Sequence, residues 1–228
     1  LKNMAYNGKY KLHVKKFDNL FSSEYFSEAE DIHLSEKYTL HCSEYAGRID
    51  NLNMRGNECI LKYKCGKVIA TWRSIDNNAD FYKIILHRNG SEYLIFRQDL
   101  YGYSVMELPS GRIMQFYPEE SLKGQETFIW TAADYNPLSN ILAVSGCIWG
   151  APGGIYLFTF DDPMNDSQQF IDLCEYIDGG YEDYDDVNFS CWINNDLHIK
   201  KFAIPACQWE DDIITSDNYL TWLSGNDK

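Results

Sequence analysis

Apolar and polar positions alternate along much of this chain in short runs. Each run is stopped by Asn, Gly, Pro or Asp, and that rhythm reads as strands. Tyr82–His87 and Tyr93–Arg97 flank Arg88-Asn89-Gly90-Ser91. Asn-Gly between two such runs is the strongest short-range hairpin signal, because a two-residue turn of the right hand needs positive φ at its centre. Tyr103–Leu108 and Ile113–Tyr117 flank Pro109-Ser110-Gly111 in the same way. Together these predict a four-stranded antiparallel meander across residues 82–117.

The pattern recurs. Asn51–Trp72 (NLNMRGNECILKYKCGKVIATW), Ile85–Leu108 and Asp134–Phe160 each show a turn, a strand, a second Gly-containing break and another strand, and a fainter copy starts at Asn188–Ile199. In the first copy, Cys59–Tyr63 and Val68–Trp72 are predicted strands, preceded by Tyr38–Arg48; Asp76–Asp80 reads as a polar turn. In the third, Thr127–Thr131 and Ile141–Ser145 flank Asn136–Asn140, and Tyr156–Phe160 follows. Residues 10–17 alternate as one further strand, residues 18–37 read as a short helix or an aromatic-anchored loop, and Asp178–Asp186 reads as a solvated acidic loop. Asn188–Trp192 and Leu197–Ile204 are the last strands, and the apolar residues after Gln208 predict a segment that docks.

Repeated units of this kind are how propellers are written. The expected fold is therefore all-β: antiparallel meanders in a partial or irregular β-propeller-like array, with a β-sandwich as the alternative. Residues 1–228 are read as a single all-β domain with an acidic part from about residue 161. Open sheet edges need cover, and a homodimer is one way to supply it.

Composition refines this picture. Seventeen Tyr and twelve Phe suit half-buried strands. No run of 18 or more apolar residues occurs, so no membrane-spanning helix is expected, and the basic residues 1–17 lack a signal-peptide core. Net charge is −14. Residues 1–160 hold 18 acids against 17 bases, whereas residues 161–228 hold 16 against 3. A field of that sign repels phosphate backbones and anionic lipid, which argues against nucleic acid and membranes and is compatible with a basic protein partner. The seven cysteines form no CxxC pair, and small buried hydrophobes in a reducing, cytoplasmic compartment account for them.

Candidate chemistry is sparse. Neither GxSxG nor HExxH occurs, and no glycine-rich phosphate loop precedes a helix, so no cofactor is expected. In Gly146-Cys147-Ile148-Trp149-Gly150-Ala151-Pro152-Gly153-Gly154, four glycines and a proline surround one large aromatic. The expectation is an ordered loop with Cys147 buried and Trp149 reaching another meander as a plug. Tyr101, Tyr103, Trp130, Tyr135 and Trp149 are the rings from which a binding face would be built. Glu126 and Asp134 are the alternative catalytic pair, of the kind glycosidases use. His87 is the nearest base in sequence for Cys147. Asp178, Glu182, Asp183, Asp185 and Asp186 are the alternative cation ligands, though without EF-hand spacing.

The segments Asp99-Leu100-Tyr101-Gly102-Tyr103-Ser104, Glu126-Thr127-Phe128-Ile129-Trp130, Asp134-Tyr135-Asn136-Pro137 and Leu142–Trp149 with Pro152 resemble an uncharacterised family of small, mostly bacterial proteins, over roughly residues 80–165. The Asn turn, the Leu142-Ala143-Val144 strand and the Phe158-Thr159-Phe160-Asp161 ending are similar to a WD-type propeller blade, without its Gly-His and Trp-Asp marks. The resemblance implies propeller-like geometry and protein binding, and it implies no activity or cofactor. The function expected is a protein-interaction module of inhibitory or immunity type that neutralises a basic partner. The alternative is a carbohydrate-binding or carbohydrate-processing protein.

Overall fold

Among the described residues, turn chemistry cuts the chain into fifteen strands. In the computed structural model, residues 10, 12–75, 81–108 and 110–225 are described. They form four antiparallel meanders in which each strand pairs with its neighbour in sequence. The first holds β1 (Phe26–His33), β2 (Tyr38–Ile49), β3 (Leu52–Tyr63) and β4 (Val68–Ile75); the second β5 (Tyr82–Leu86), β6 (Glu92–Phe96), β7 (Tyr103–Leu108) and β8 (Arg112–Phe116). The third holds β9 (Ile129–Asn136), β10 (Ile141–Cys147), β11 (Gly154–Thr159) and β12 (Phe170–Asp172); the fourth β13 (Tyr184–Ile193), β14 (Asp196–Ala203) and β15 (Gln208–Ile214). The all-β expectation of sequential meanders is met. The Asp76–Asp80 turn and Pro109 lie outside the described residues.

The chain divides into two compact units: Leu1–Ile84 with Glu92–Thr127, and Ile85–Ser91 with Phe128–Lys228. In the first unit, one apolar face of the β1–β4 sheet (Leu40, Cys42, Cys59, Leu61, Trp72) packs on Leu94, Phe96, Met106 and Leu108 of the second meander. Trp72 and Phe96 lie 4.6 Å apart at the centre of this layer. The β2–β3 hairpin turns at Asp50 and Asn51, both at positive φ (47° and 68°). Asp and Asn tolerate that region because their short polar side chains bond locally.

In the second unit, Ile141, Ala143, Ile155 and Leu157 of the third meander face Val187, Leu197, Ile199 and Ile214 of the fourth. A helix, Ser216–Leu223, closes this core with Tyr219 and Leu223, and the Tyr219 hydroxyl donates to the Asn195 carbonyl at 2.6 Å. Gly146 is required by packing. The Phe128 ring lies over it and the Ile129 carbonyl approaches it, so a Cβ would collide with both.

Four local expectations fail, the simplest near residue 208, where β15 (Gln208–Ile214) pairs with β14 beyond the strands read as the last. Residues 12–15 are helical, not part of a strand. Tyr10, His13 and Phe17 are spaced i, i+3, i+7, and their rings meet at 6.2 and 5.9 Å, while Leu12, which strand alternation would have buried, is 72% exposed. Within residues 18–37, a short 3-10 turn (Asp18–Phe21) is followed by β1. That strand is an exposed edge with no apolar alternation to announce it. The acidic stretch 178–186 is not a free loop: Gly180–Asp183 is a helical turn, and Tyr184 opens β13.

Candidate functional site

Directly opposed residues of an antiparallel ladder share a face, which places the site. Glu28 opposes Glu44, and Glu30 opposes Cys42; Glu44 opposes Asn57, Cys42 opposes Cys59, and Ala46 opposes Arg55. These side chains therefore continue the face that packs the core of the first unit. Beyond the apolar layer, the same face opens into a cavity of about 240 Å³ lined by Glu28, Ala29, Glu30, Cys42, Glu44, Arg55 and Asn57. A water occupies about 30 Å³ in the liquid, so the space suits the charged head of a long side chain better than a drug-sized ligand.

Three glutamates stand there against one arginine. Glu28 and Glu44 are like charges placed directly opposite each other, which costs a sheet stability. Arg55 supplies one positive charge against the three, and a further cation in the cavity would relieve the rest. Among the described residues, no three or more His, Cys, Asp or Glu side chains converge as a metal site would require. That holds also for Asp178, Glu182, Asp183, Asp185 and Asp186. Asp186 instead accepts from the Gly153 N–H at 3.0 Å and anchors the base of the Trp149 loop.

The rings singled out in the sequence are divided between the two units. Tyr101 and Tyr103 belong to the first unit and Trp130, Tyr135 and Trp149 to the second. Tyr103 is buried against Phe116, with centroids 5.4 Å apart. Trp130 is 4% exposed and packs on Phe158 at 5.1 Å. Trp149 is 56% exposed and Cys147 only half-buried, which overturns the plug. The turn at Gly150 (φ 71°) and Asp186 at its base hold the loop so that its tip points outward. Glu126 is exposed in the first unit and Asp134 half-buried in the second.

Tyr135 belongs to a closed polar knot in the second unit. Its hydroxyl accepts from the Arg88 N–H at 3.2 Å and donates to Asn140 Oδ1 at 2.6 Å. Asn140 Nδ2 and Arg88 Nη2 both donate to Asp161 Oδ1, at 2.7 and 2.6 Å. Beside them lies buried His87, whose Nδ1 accepts from the Asn89 N–H at 3.3 Å while Nε2 donates to the Phe160 carbonyl at 2.8 Å. Both ring nitrogens serve the backbone, so His87 is not a base for Cys147. A histidine, a tyrosine and an aspartate so close imitate a catalytic group, but here they fasten the Arg88-Asn89-Gly90-Ser91 turn.

The cavity residues escaped the sequence reading because they are gathered by register, not by spacing. The signal that finds those on β2 and β3 is the Asp50-Asn51 turn. Once it is placed, every opposed pair of β2 and β3 follows by counting outward. The fold and the site together define an all-β protein of consecutive meanders with an acidic cavity on one sheet face. Protein-family models give no match to this chain, and neither do curated proteins. Among the described residues, no helix is long and apolar enough to cross a membrane.

Proposed function

We propose that the protein is an interaction module whose acidic cavity receives a lysine or arginine side chain of a basic protein partner. The observation that carries this reading is the placement of Glu28, Glu30 and Glu44 on one face around a cavity. The chain's net charge of −14 draws such a partner in from a distance, and the cavity then selects a protruding cation. Binding of this type weakens steeply with salt, since the Debye length falls from about 10 Å at 0.1 M to about 3 Å at 1 M.

Titration of the full chain with a lysine-rich peptide, followed by amide NMR shifts, tests the reading. The shifts are expected at residues 28–30, 42–44 and 55–57. They should fade on going from about 50 to about 500 mM salt and in the variant Glu28→Gln/Glu30→Gln/Glu44→Gln. Shifts confined to residues 161–228, or unchanged in the triple variant, would assign the attraction to the general acidic surface and refute the cavity.

A further inference from the structure

The floor of the cavity carries a feature that cation binding does not use. Cys42 on β2 and Cys59 on β3 are directly opposed, and their sulfurs are 3.5 Å apart. Both are buried: Cys42 is 5% exposed and lines the cavity, while Cys59 is fully enclosed beneath it. The Tyr82 hydroxyl stands 3.8 Å from one sulfur and 3.7 Å from the other. Opposed residues of an antiparallel ladder have Cα atoms about 4.5–5.5 Å apart, inside the range of about 4.4–6.8 Å that disulfides span. Side-chain rotation is enough to bring the sulfurs to a bonding distance of about 2.05 Å.

We propose that Cys42 and Cys59 form a redox-active thiol pair, which a hydroperoxide entering through the cavity converts to a cross-strand disulfide. Cys42 is the residue reached first, because only it borders the opening. Its sulfur attacks the peroxide, the O–O bond breaks, and Cys42 becomes a sulfenic acid while water (or the alcohol of an organic peroxide) leaves. The Cys59 sulfur then attacks the Cys42 sulfur. The S–O bond breaks, the S–S bond forms and a second water leaves. Two thiols and one peroxide give one disulfide and two waters (or one water and the alcohol), so the peroxide accepts both electrons. Tyr82, equidistant from the two sulfurs, donates its O–H to whichever carries negative charge, and a reducing thiol reverses the change by exchange. None of the other cysteines pairs a thiol at a cavity edge with an enclosed one: Cys65, Cys191 and Cys207 are exposed, Cys147 is half-buried opposite Ile129, and Cys174 is buried with its thiol pushed up to about 11 by desolvation. This inference stands apart from the cation reading, since the pair would react whether or not the cavity binds a partner.

Mapping the folded chain after hydrogen peroxide decides the matter. Free thiols are alkylated in denaturant, the chain is digested without reduction, and the peptides are weighed. The expected product joins the Cys42 and Cys59 peptides with the loss of two hydrogens, disappears on reduction with dithiothreitol, and forms more slowly in Tyr82→Phe. In Cys59→Ser, Cys42 should remain a sulfenic acid that dimedone traps. If that variant fails to fold, the wild-type map decides alone. Cys42 and Cys59 both recovered alkylated from folded protein, after the exposed cysteines are fully oxidised, would overturn the proposal. So would a link that forms only in urea.

Discussion

Two polar constellations sit in the two units and are built on opposite plans. In the knot of the second unit, Arg88, Tyr135, Asn140 and Asp161 join donor to acceptor and positive to negative, beside a histidine whose two nitrogens are spent on backbone. In the cavity of the first unit, Glu28 opposes Glu44, and Glu30 lies on the same face. Polar groups that satisfy one another, as around buried Asn140, add to stability. Like charges opposed across a ladder cost stability. The knot fastens the Arg88-Asn89-Gly90-Ser91 turn to the third meander, and the cavity is the site proposed for a partner's cation.

The sharpest way to break this contrast is Asn140→Ala. It removes the bonds to Tyr135 and Asp161 and leaves Ala at φ 59°, a region that L side chains other than Asn and Asp resist. The expected loss is about 2–4 kcal/mol in urea denaturation. A loss near zero would mean that the knot is decorative. An intermediate effect is expected at Asp212, whose carboxylate meets Lys201 Nζ at 2.7 Å. Burial pulls the Asp212 pKa upward, and hydrogen bonds from Lys201 and the Ile213 N–H outweigh it, so the value lies below the usual carboxylate range. Its stabilisation is therefore present above pH ~4 and lost as pH falls through the lowered folded value. Asp212→Asn should flatten that acid limb by about 1 kcal/mol or less, since the pair is partly exposed.

At the cavity, Glu28→Gln/Glu30→Gln/Glu44→Gln should leave stability within about 0.5 kcal/mol of wild type or raise it, with the gain largest at low salt. Thermal melts at two salt concentrations measure this, and a large destabilisation would move the glutamates into the same structural class as the knot. The smallest effect belongs to Trp149→Ala. Its ring is 56% exposed, so the cost should stay within about 0.5 kcal/mol, whereas Trp130→Phe, at a buried ring packed on Phe158, should cost measurably more in the same melts.

The reach of the sequence follows the range of the interactions that decide each element. β7 was read to the residue, and β5, β6 and β8 to within a residue or two, because Asn89-Gly90 and Gly111 act on their own neighbours. The docking of residues after Gln208 was legible from their apolar content alone, although the helix they form was not. β1 was missed because an edge strand exposed along its length needs no apolar period. Trp149 and Trp130 looked alike as aromatic anchors beside breaks. Which one is buried depends on where the third meander bends, and no local rule records that.

By itself, then, the sequence determined that the chain would be cut into short strands by its Asn, Gly and Asp turns, that these strands would pair consecutively, and that the surface would be strongly negative. Only the tertiary structure decided which charges gather and which thiols meet. Glu28, Glu30 and Glu44, like Cys42 and Cys59, become neighbours through ladder register and the packing of one meander on the next. A slip of one residue in that register would turn each of them to the opposite face and dissolve both the cavity and the thiol pair.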